Sequence, residues 1–190
     1  MVDFTIAPHI QEILYAKSWH NSLPVEMLQD FVFAFIAGLG FAYGLNPLKR
    51  TIFWSAFFAG LGYNIRFGLM QLPFFSFVGA SFCASLCIGL LAIIAAKRVK
   101  APIEVIVFPS LLPMFPGSYG YKSILSMLAF VQQRDDKTRL DYLLLFFDNF
   151  TIMFSVSLAL VAGALIVLSI FYEQSFMMTR GIKKLSMREL

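Results

Sequence analysis

Long, nearly uncharged stretches alternate with short charged clusters along this chain. Runs of about 18 or more apolar residues are long enough to cross a hydrocarbon core as helices. Strict alternation of apolar and polar residues is absent, and the runs exceed the strands of about 10 residues that build membrane barrels. The pattern predicts an all-α, polytopic integral membrane protein with about five transmembrane helices: Phe31–Leu48, Thr51–Met70, Phe74–Ala96, Pro102–Gln133 and Tyr142–Tyr172.

The composition agrees with this pattern. Of 190 residues, 59% are hydrophobic and 14% are charged, whereas about a quarter of the residues in an average soluble domain are charged. We therefore expect a single transmembrane domain over residues 27–172, in contact with membrane lipid, and a basic tail over residues 173–190.

The N-terminal extension, residues 1–26, is more polar than the rest. Asp3, Pro8 and Glu12 interrupt any apolar core, so we do not expect a secretory signal. One helical stripe comprises Ile10, Ile13, Leu14 and Lys17. It predicts a short amphipathic helix in the membrane interface, and a helix that docks on a partner is the alternative.

The basic residues divide unevenly between the two sides of the membrane. If all five segments cross once, nine Lys and Arg residues lie on one side and four on the other, whereas a re-entrant fourth segment gives eight against five. The positive-inside rule therefore favours five crossings, with the N-terminus outside and the C-terminus in the cytoplasm. The net charge of +4 then reflects topology, and no nucleic-acid partner is expected.

The fourth segment contains the stretch VFPSLLPMFPGSYGY, Val107–Tyr121. Proline lacks an N–H group and clashes with the preceding turn, so Pro113, Pro116 and Gly117 predict a break in the helix. At 1.5 Å per residue the break falls about 15 to 20 Å from the cytoplasmic end, near the bilayer midplane. Discontinuous helices at that depth form binding sites in transporters. The alternative is a loop between two short interfacial helices.

Ionisable side chains inside these segments are candidate site residues, because at mid-depth each costs about 2.5 to 3.5 kcal/mol. Arg66 and Asp148 have similar predicted depths in the outer third of the membrane, and we expect them to face each other. Snorkelling of Arg66 to the headgroups is the alternative. Further candidates for a substrate pathway are Asn64, Tyr121, Lys122 and Asn149.

Catalytic residues, metal sites and cofactors are not expected, so we do not expect an enzyme. Cys83 and Cys87 share a helix face, but a metal site needs more ligands than this pair supplies. The chain has no paired carboxylates, serine elbow or phosphate-binding glycine loop. Small residues four apart instead predict close helix packing, within the chain or against a partner: Gly40 with Gly44, Ala80 with Ala84, and Ser81 with Ser85.

Three stretches resemble the C-terminal half of the threonine/serine exporter family: GLNPLKRTIFWSAFFAGLGYNIRFGLM, PSLLPMFPGSYGY and DNF. The resemblance covers roughly residues 31–172, and PMFPG is its most specific part. It implies a bacterial inner-membrane exporter of small amino acids or of dicarboxylates, similar to the smaller subunit of a bacterial succinate exporter. It also implies a second membrane subunit that supplies the N-terminal half. Positions that match the family pattern are Arg66, Pro113, Pro116, Gly117 and Asn149.

Three features depart from the family pattern: the N-terminal extension, Lys122 and Asp148. They leave the substrate open, although a lysine near the break weakly favours a dicarboxylate. A non-transporting assembly subunit remains the alternative function, and a homo-oligomer remains an alternative assembly.

Overall fold

A computed structural model describes residues 23–45 and 48–171. The described residues form helices and no strand, which confirms the all-α prediction. The predicted interfacial helix and the basic tail lie outside the described residues. The elements are α1 (Leu23–Gly44), α2 (Lys49–Met70), α3 (Phe77–Val99), α4 (Glu104–Leu111), a 3-10 turn (Leu112–Met114), α5 (Gly117–Gln132) and α6 (Asp136–Ile170).

Three of the described helices are long and apolar enough to cross a membrane: Pro24–Gly44, Phe77–Val99 and Asp136–Ile170. Helix α2 has 22 residues and reaches about 33 Å at 1.5 Å per residue, but it is more polar. The fourth predicted segment is divided into α4, the 3-10 turn and α5, so the helix is broken as predicted. Both α1 and α6 begin earlier than predicted, and α1 includes the last residues of the predicted extension.

Short polar residues set the helix boundaries. The Ser76 hydroxyl accepts a hydrogen bond from the Gly79 N–H at 3.2 Å and caps α3. The Asp135 carboxylate accepts bonds from Thr138 N–H at 3.3 Å and Thr138 Oγ1 at 2.7 Å, which caps α6. Such caps satisfy backbone donors that have no partner in the first helical turn, and α6 therefore begins before its apolar run.

Helices α1 to α4 and the second half of α6 form a bundle. One end of the bundle, the basic end, carries Lys49, Arg50, Lys97, Arg98 and Lys100. The opposite end carries Met70 and Phe77 and is called the pocket end, because a cavity described below opens there. Helix α4 runs beside α2 in the same direction, because Ser55 Oγ lies 3.5 Å from the Val105 carbonyl and Arg66 Nη1 lies 2.7 Å from the Met114 carbonyl. The chain therefore rises through α4 towards the pocket end.

Small residues let the helices approach closely. Ala80, Ala84, Ser81 and Ser85 are completely buried, as predicted. The hydroxyl groups of Ser81 and Ser85 donate to backbone carbonyls of the preceding turn, so neither hydroxyl is left unpaired. Gly40 and Gly44 do not pack within the described part of the chain, since a methyl group at either would have nothing within 4 Å; packing of this pair against a partner stays a prediction. Gly38 packs instead, where a methyl group would lie 2.7 Å from Ala59 Cβ.

Helix α6 is shared between two packing partners. Its second half runs along α3 in the same direction, with Gly163 beside Phe82 and Val167 beside Gly89. Its first half runs antiparallel to α5, where a methyl group at Gly120 would lie 2.9 Å from Met153 Sδ. Residues 117–154 thus form a two-helix hairpin that continues beyond the pocket end of the bundle.

Candidate functional site

The break between α4 and α5 is built from two prolines. Pro113 and Pro116 have no N–H group to close an α-helical turn. Pro116 adopts φ −81° and ψ 64°, and the Gly117 N–H donates to the Phe115 carbonyl at 2.9 Å, which is the geometry of an inverse γ-turn. In an unbroken helix the Met114 carbonyl would accept from the N–H four residues later, so the break frees that oxygen for another donor.

Arg66 provides that donor. Its Nη1 donates to the Met114 carbonyl at 2.7 Å, and its side chain is only 7% exposed. The guanidinium carbon lies 4.5 Å from the centre of the Tyr63 ring and 5.3 Å from that of Phe77. Aromatic faces stabilise a cation that has lost its water. A guanidinium has five N–H donors, so donors remain for an anionic ligand.

A cavity of about 420 Å³ opens beside Arg66. This volume is in the range of small-molecule sites. Asp30, on α1, lines the same cavity. Its carboxylate is not close enough to the Arg66 guanidinium, within 4 Å, to form an ion pair. The N-terminus of α5, the positive end of its dipole, also starts at this cavity. The wall is completed by aromatic and proline residues that include Tyr63, Phe77, Pro113, Pro116 and Tyr119.

The structure brings together some of the predicted site residues. Arg66, Pro113, Pro116 and Gly117 all line the cavity. Asn64 is half-buried on α2, and its Oδ1 is buried without a hydrogen-bond partner. It does not line the cavity.

The other candidates lie on the hairpin. Lys122 and Asp148 are exposed, and Lys122 Nζ lies 5.7 Å from the centre of the Tyr119 ring. Tyr121 is 65% exposed. Asn149 is buried and donates from Nδ2 to the Leu145 carbonyl at 2.7 Å.

The predicted contact between Arg66 and Asp148 is not formed. This contact would require the fifth segment to begin level with the outer end of the second. In the structure the first half of α6 follows α5 away from the bundle, so Asp148 lies on the hairpin. Asp30 shares the cavity with Arg66 instead.

The position of the break along the bundle follows from its contact with α2. The Met114 carbonyl is level with Arg66, which is four residues from the end of α2. The break therefore lies at the pocket end of the bundle and not halfway along it. The chain leaves the bundle at the break and continues into α5.

Several residues that line the cavity were not predicted from the sequence, among them Asp30, Tyr63, Phe77 and Tyr119. Asp30 was left out because the first segment was predicted to begin one residue later, at Phe31. A weak signal was present, since Asp30 directly precedes a long apolar run. Among the described residues, no group of three or more His, Cys, Asp or Glu side chains could hold a metal ion.

Comparison with known proteins identifies a family and relatives of this chain. A family model described as "Threonine/Serine exporter, ThrE" matches residues 30–170. An uncharacterized protein of Haemophilus influenzae is 31% identical over 104 residues, which are 55% of this chain and 35% of that protein. The chain thus matches about a third of the length of this relative. No solved structure matches.

Proposed function

This chain belongs to the threonine/serine exporter family, and we propose that it is a membrane subunit of a secondary transporter that exports small amino acids such as threonine and serine. Dicarboxylates such as succinate are the second candidate substrates. The observation that carries the proposal is the buried guanidinium of Arg66 beside a cavity at a helix break. Discontinuous helices that face a buried charge are a recurring form of substrate site in transporters.

The charges of the cavity favour an amino acid over a dicarboxylate. A substrate carboxylate fits the guanidinium of Arg66 and the positive end of α5. A substrate ammonium group fits the carboxylate of Asp30 and the faces of the aromatic side chains. The second carboxylate of succinate would instead meet Asp30, a group of like charge. Lys122 does not line the cavity, so it lends no support to a dicarboxylate.

We also propose that a second membrane polypeptide completes the exporter. The matched part of the Haemophilus influenzae relative is only 35% of its length. That relative therefore carries additional chain outside the matched part.

An export assay with charge-neutralised variants tests the site. Cells are loaded with labelled threonine or labelled succinate, and efflux is compared for Arg66→Gln, Asp30→Asn and the control Lys137→Gln. Lys137 is exposed at the tip of the hairpin. Charge-assisted hydrogen bonds contribute about 1.5 to 3 kcal/mol, so each cavity variant should lower threonine efflux roughly 10- to 100-fold.

The two cavity variants separate the substrate classes. Arg66→Gln should lower efflux of both substrates by about the same 10- to 100-fold factor, whereas Asp30→Asn should spare or increase succinate efflux. Wild-type efflux by Arg66→Gln at normal abundance would contradict the proposed site. A different outcome is a variant that assembles less often with the second subunit while each assembled complex exports at the normal rate. That result would support the alternative function, a non-transporting assembly subunit.

A further inference from the structure

The hairpin of residues 117–154 is apolar on its outside as well as between its helices. It joins the bundle through the continuous helix α6 and through the contact of Tyr119 with Phe77, whose ring centres are 6.1 Å apart. Large apolar side chains on both helices are more than half exposed, among them Ile124, Leu128, Val131, Leu140, Leu144 and Phe147. A continuous apolar surface of this kind marks a contact with protein or lipid.

Two opposite charges interrupt this apolar surface. Lys122 on α5 and Asp148 on α6 are both exposed, and they do not pair with each other within 4 Å. Lipid alone would leave both charges in an apolar environment, which is costly. Water alone would leave the surrounding apolar side chains exposed. A protein partner with complementary charges avoids both costs.

The heights of the two charges along the hairpin suit a second copy of this chain. Gly120 lies opposite Met153 across the hairpin. At 1.5 Å per residue, Lys122 is about 3 Å and Asp148 about 7.5 Å further along the hairpin from that level. The two charges therefore differ in height by about 4.5 Å, which long side chains can span.

We propose that the hairpin is the contact surface between two copies of this chain. Two copies in one membrane have the same orientation, so their two-fold axis runs parallel to the membrane normal and each residue keeps its height. Rotation about such an axis brings Lys122 of each copy towards Asp148 of the other. The interface is thus self-complementary, as two-fold interfaces must be. This inference is independent of the substrate proposed above.

Crosslinking between two tagged chains tests this arrangement in native membranes. Cys83 and Cys87 are first replaced by alanine. One chain then carries Lys122→Cys and the other, with a different tag, carries Asp148→Cys. Since a disulfide needs Cα atoms within about 7 Å, a short bifunctional maleimide is used, and a crosslinked dimer that contains both tags is expected. The matched control pairs Asp148→Cys with Lys97→Cys, an exposed residue at the basic end, and should give no dimer.

Charge reversal tests the pairing without cysteines. Lys122→Glu or Asp148→Lys alone should lower the fraction of dimer in mild detergent at least tenfold, measured by light scattering. The double variant should restore it, which separates pairing from misfolding. Three results would overturn the proposal: a monomer without crosslinks, a crosslink to a different polypeptide, or a dimer that forms only after removal of residues 1–22. The last would identify the N-terminal segment as the occupant of the hairpin surface.

Discussion

Arg66 is a buried cation whose surroundings satisfy it only in part. The Met114 carbonyl and the rings of Tyr63 and Phe77 replace some of the water that the guanidinium loses. A charge in this position can remain buried because a helix break supplies a free carbonyl beside it. The break and the arginine therefore depend on each other, and a change in one should be felt by the other.

Replacing Arg66 with methionine should destabilise the protein. Methionine fills much of the same volume but leaves the Met114 carbonyl without its donor. A buried acceptor without a partner costs about 1 to 3 kcal/mol, so the melting temperature in detergent should fall. Arg66→Lys should recover part of the loss, since an ammonium group can still donate. An unchanged melting temperature for Arg66→Met would show that this hydrogen bond adds nothing to stability.

For Asn64, two residues before Arg66, we expect the opposite effect on stability. Its Oδ1 is buried without a hydrogen-bond partner, so Asn64→Leu removes an unpaired acceptor and should leave stability unchanged or raise it by up to about 1 kcal/mol. Thermal unfolding beside Arg66→Met provides the comparison. If Asn64→Leu is stable but cannot export, Asn64 belongs to the substrate pathway as the sequence analysis predicted.

Single residues show where sequence reasoning succeeds and fails. Arg66 could be found because a charge inside an apolar run is conspicuous. Asp30 could not be placed in the same cavity, because that depends on the register between α1 and α2. Asp148 was assigned to Arg66 wrongly, because the first half of α6 leaves the bundle with α5.

Between helices, glycine spacing alone does not identify the packed face. Gly40 and Gly44 have the spacing of a packing motif but border open space, whereas Gly163 lies against α3. A methyl group at Gly163 would lie 2.9 Å from the Phe82 carbonyl oxygen. The sequence specifies which residues are small, but the register of neighbouring helices decides which of them are needed.

Gly163→Ala should therefore destabilise the bundle, and Gly40→Ala should not. Overpacking at a close helix contact costs about 1 to 3 kcal/mol. The exposed Gly40→Ala variant adds the same methyl group to a helix without a clash and serves as the control. Thermal unfolding of the two variants in the same detergent gives the comparison. Equal melting temperatures would place the contact between α3 and α6 elsewhere.

The cap of α6 predicts a dependence on pH. Hydrogen bonds from the Thr138 hydroxyl and then from its N–H hold the pKa of Asp135 below its ordinary value of 3.8. The stability that the charged cap gives to the first turn of α6 is therefore present above a pH of about 4. It is lost as the pH falls through the lowered pKa of Asp135. Amide exchange at Thr138, corrected for its intrinsic pH dependence, should increase at low pH.

Two variants separate the charge of Asp135 from its role as an acceptor. Asp135→Ala should remove the protection of the Thr138 amide at every pH. Asp135→Asn keeps an acceptor that does not titrate, so its protection should not change with pH. A pH-dependent Asp135→Asn variant would exclude this carboxylate as the titrating group.

For the whole molecule, the number of apolar segments was predictable and their arrangement was not. Apolar length and the prolines of the fourth segment were sufficient to predict five segments with one broken helix. The hairpin was not predicted, because α6 reads as one long apolar run. Its division depends on α3 contacting only its second half.

The direction of the chain through the break makes a topological prediction. Helix α4, the 3-10 turn and α5 continue from the basic end past the pocket end, so Lys100 and Arg134 should lie on opposite sides of the membrane. In a protein without Cys83 and Cys87, Arg134→Cys should react with an impermeant maleimide in intact cells, and Lys100→Cys should react only after lysis. The reverse result would invert the orientation predicted from the basic residues. Labelling of both positions from the same side would mean that the fourth segment does not cross, which would contradict the five-span topology.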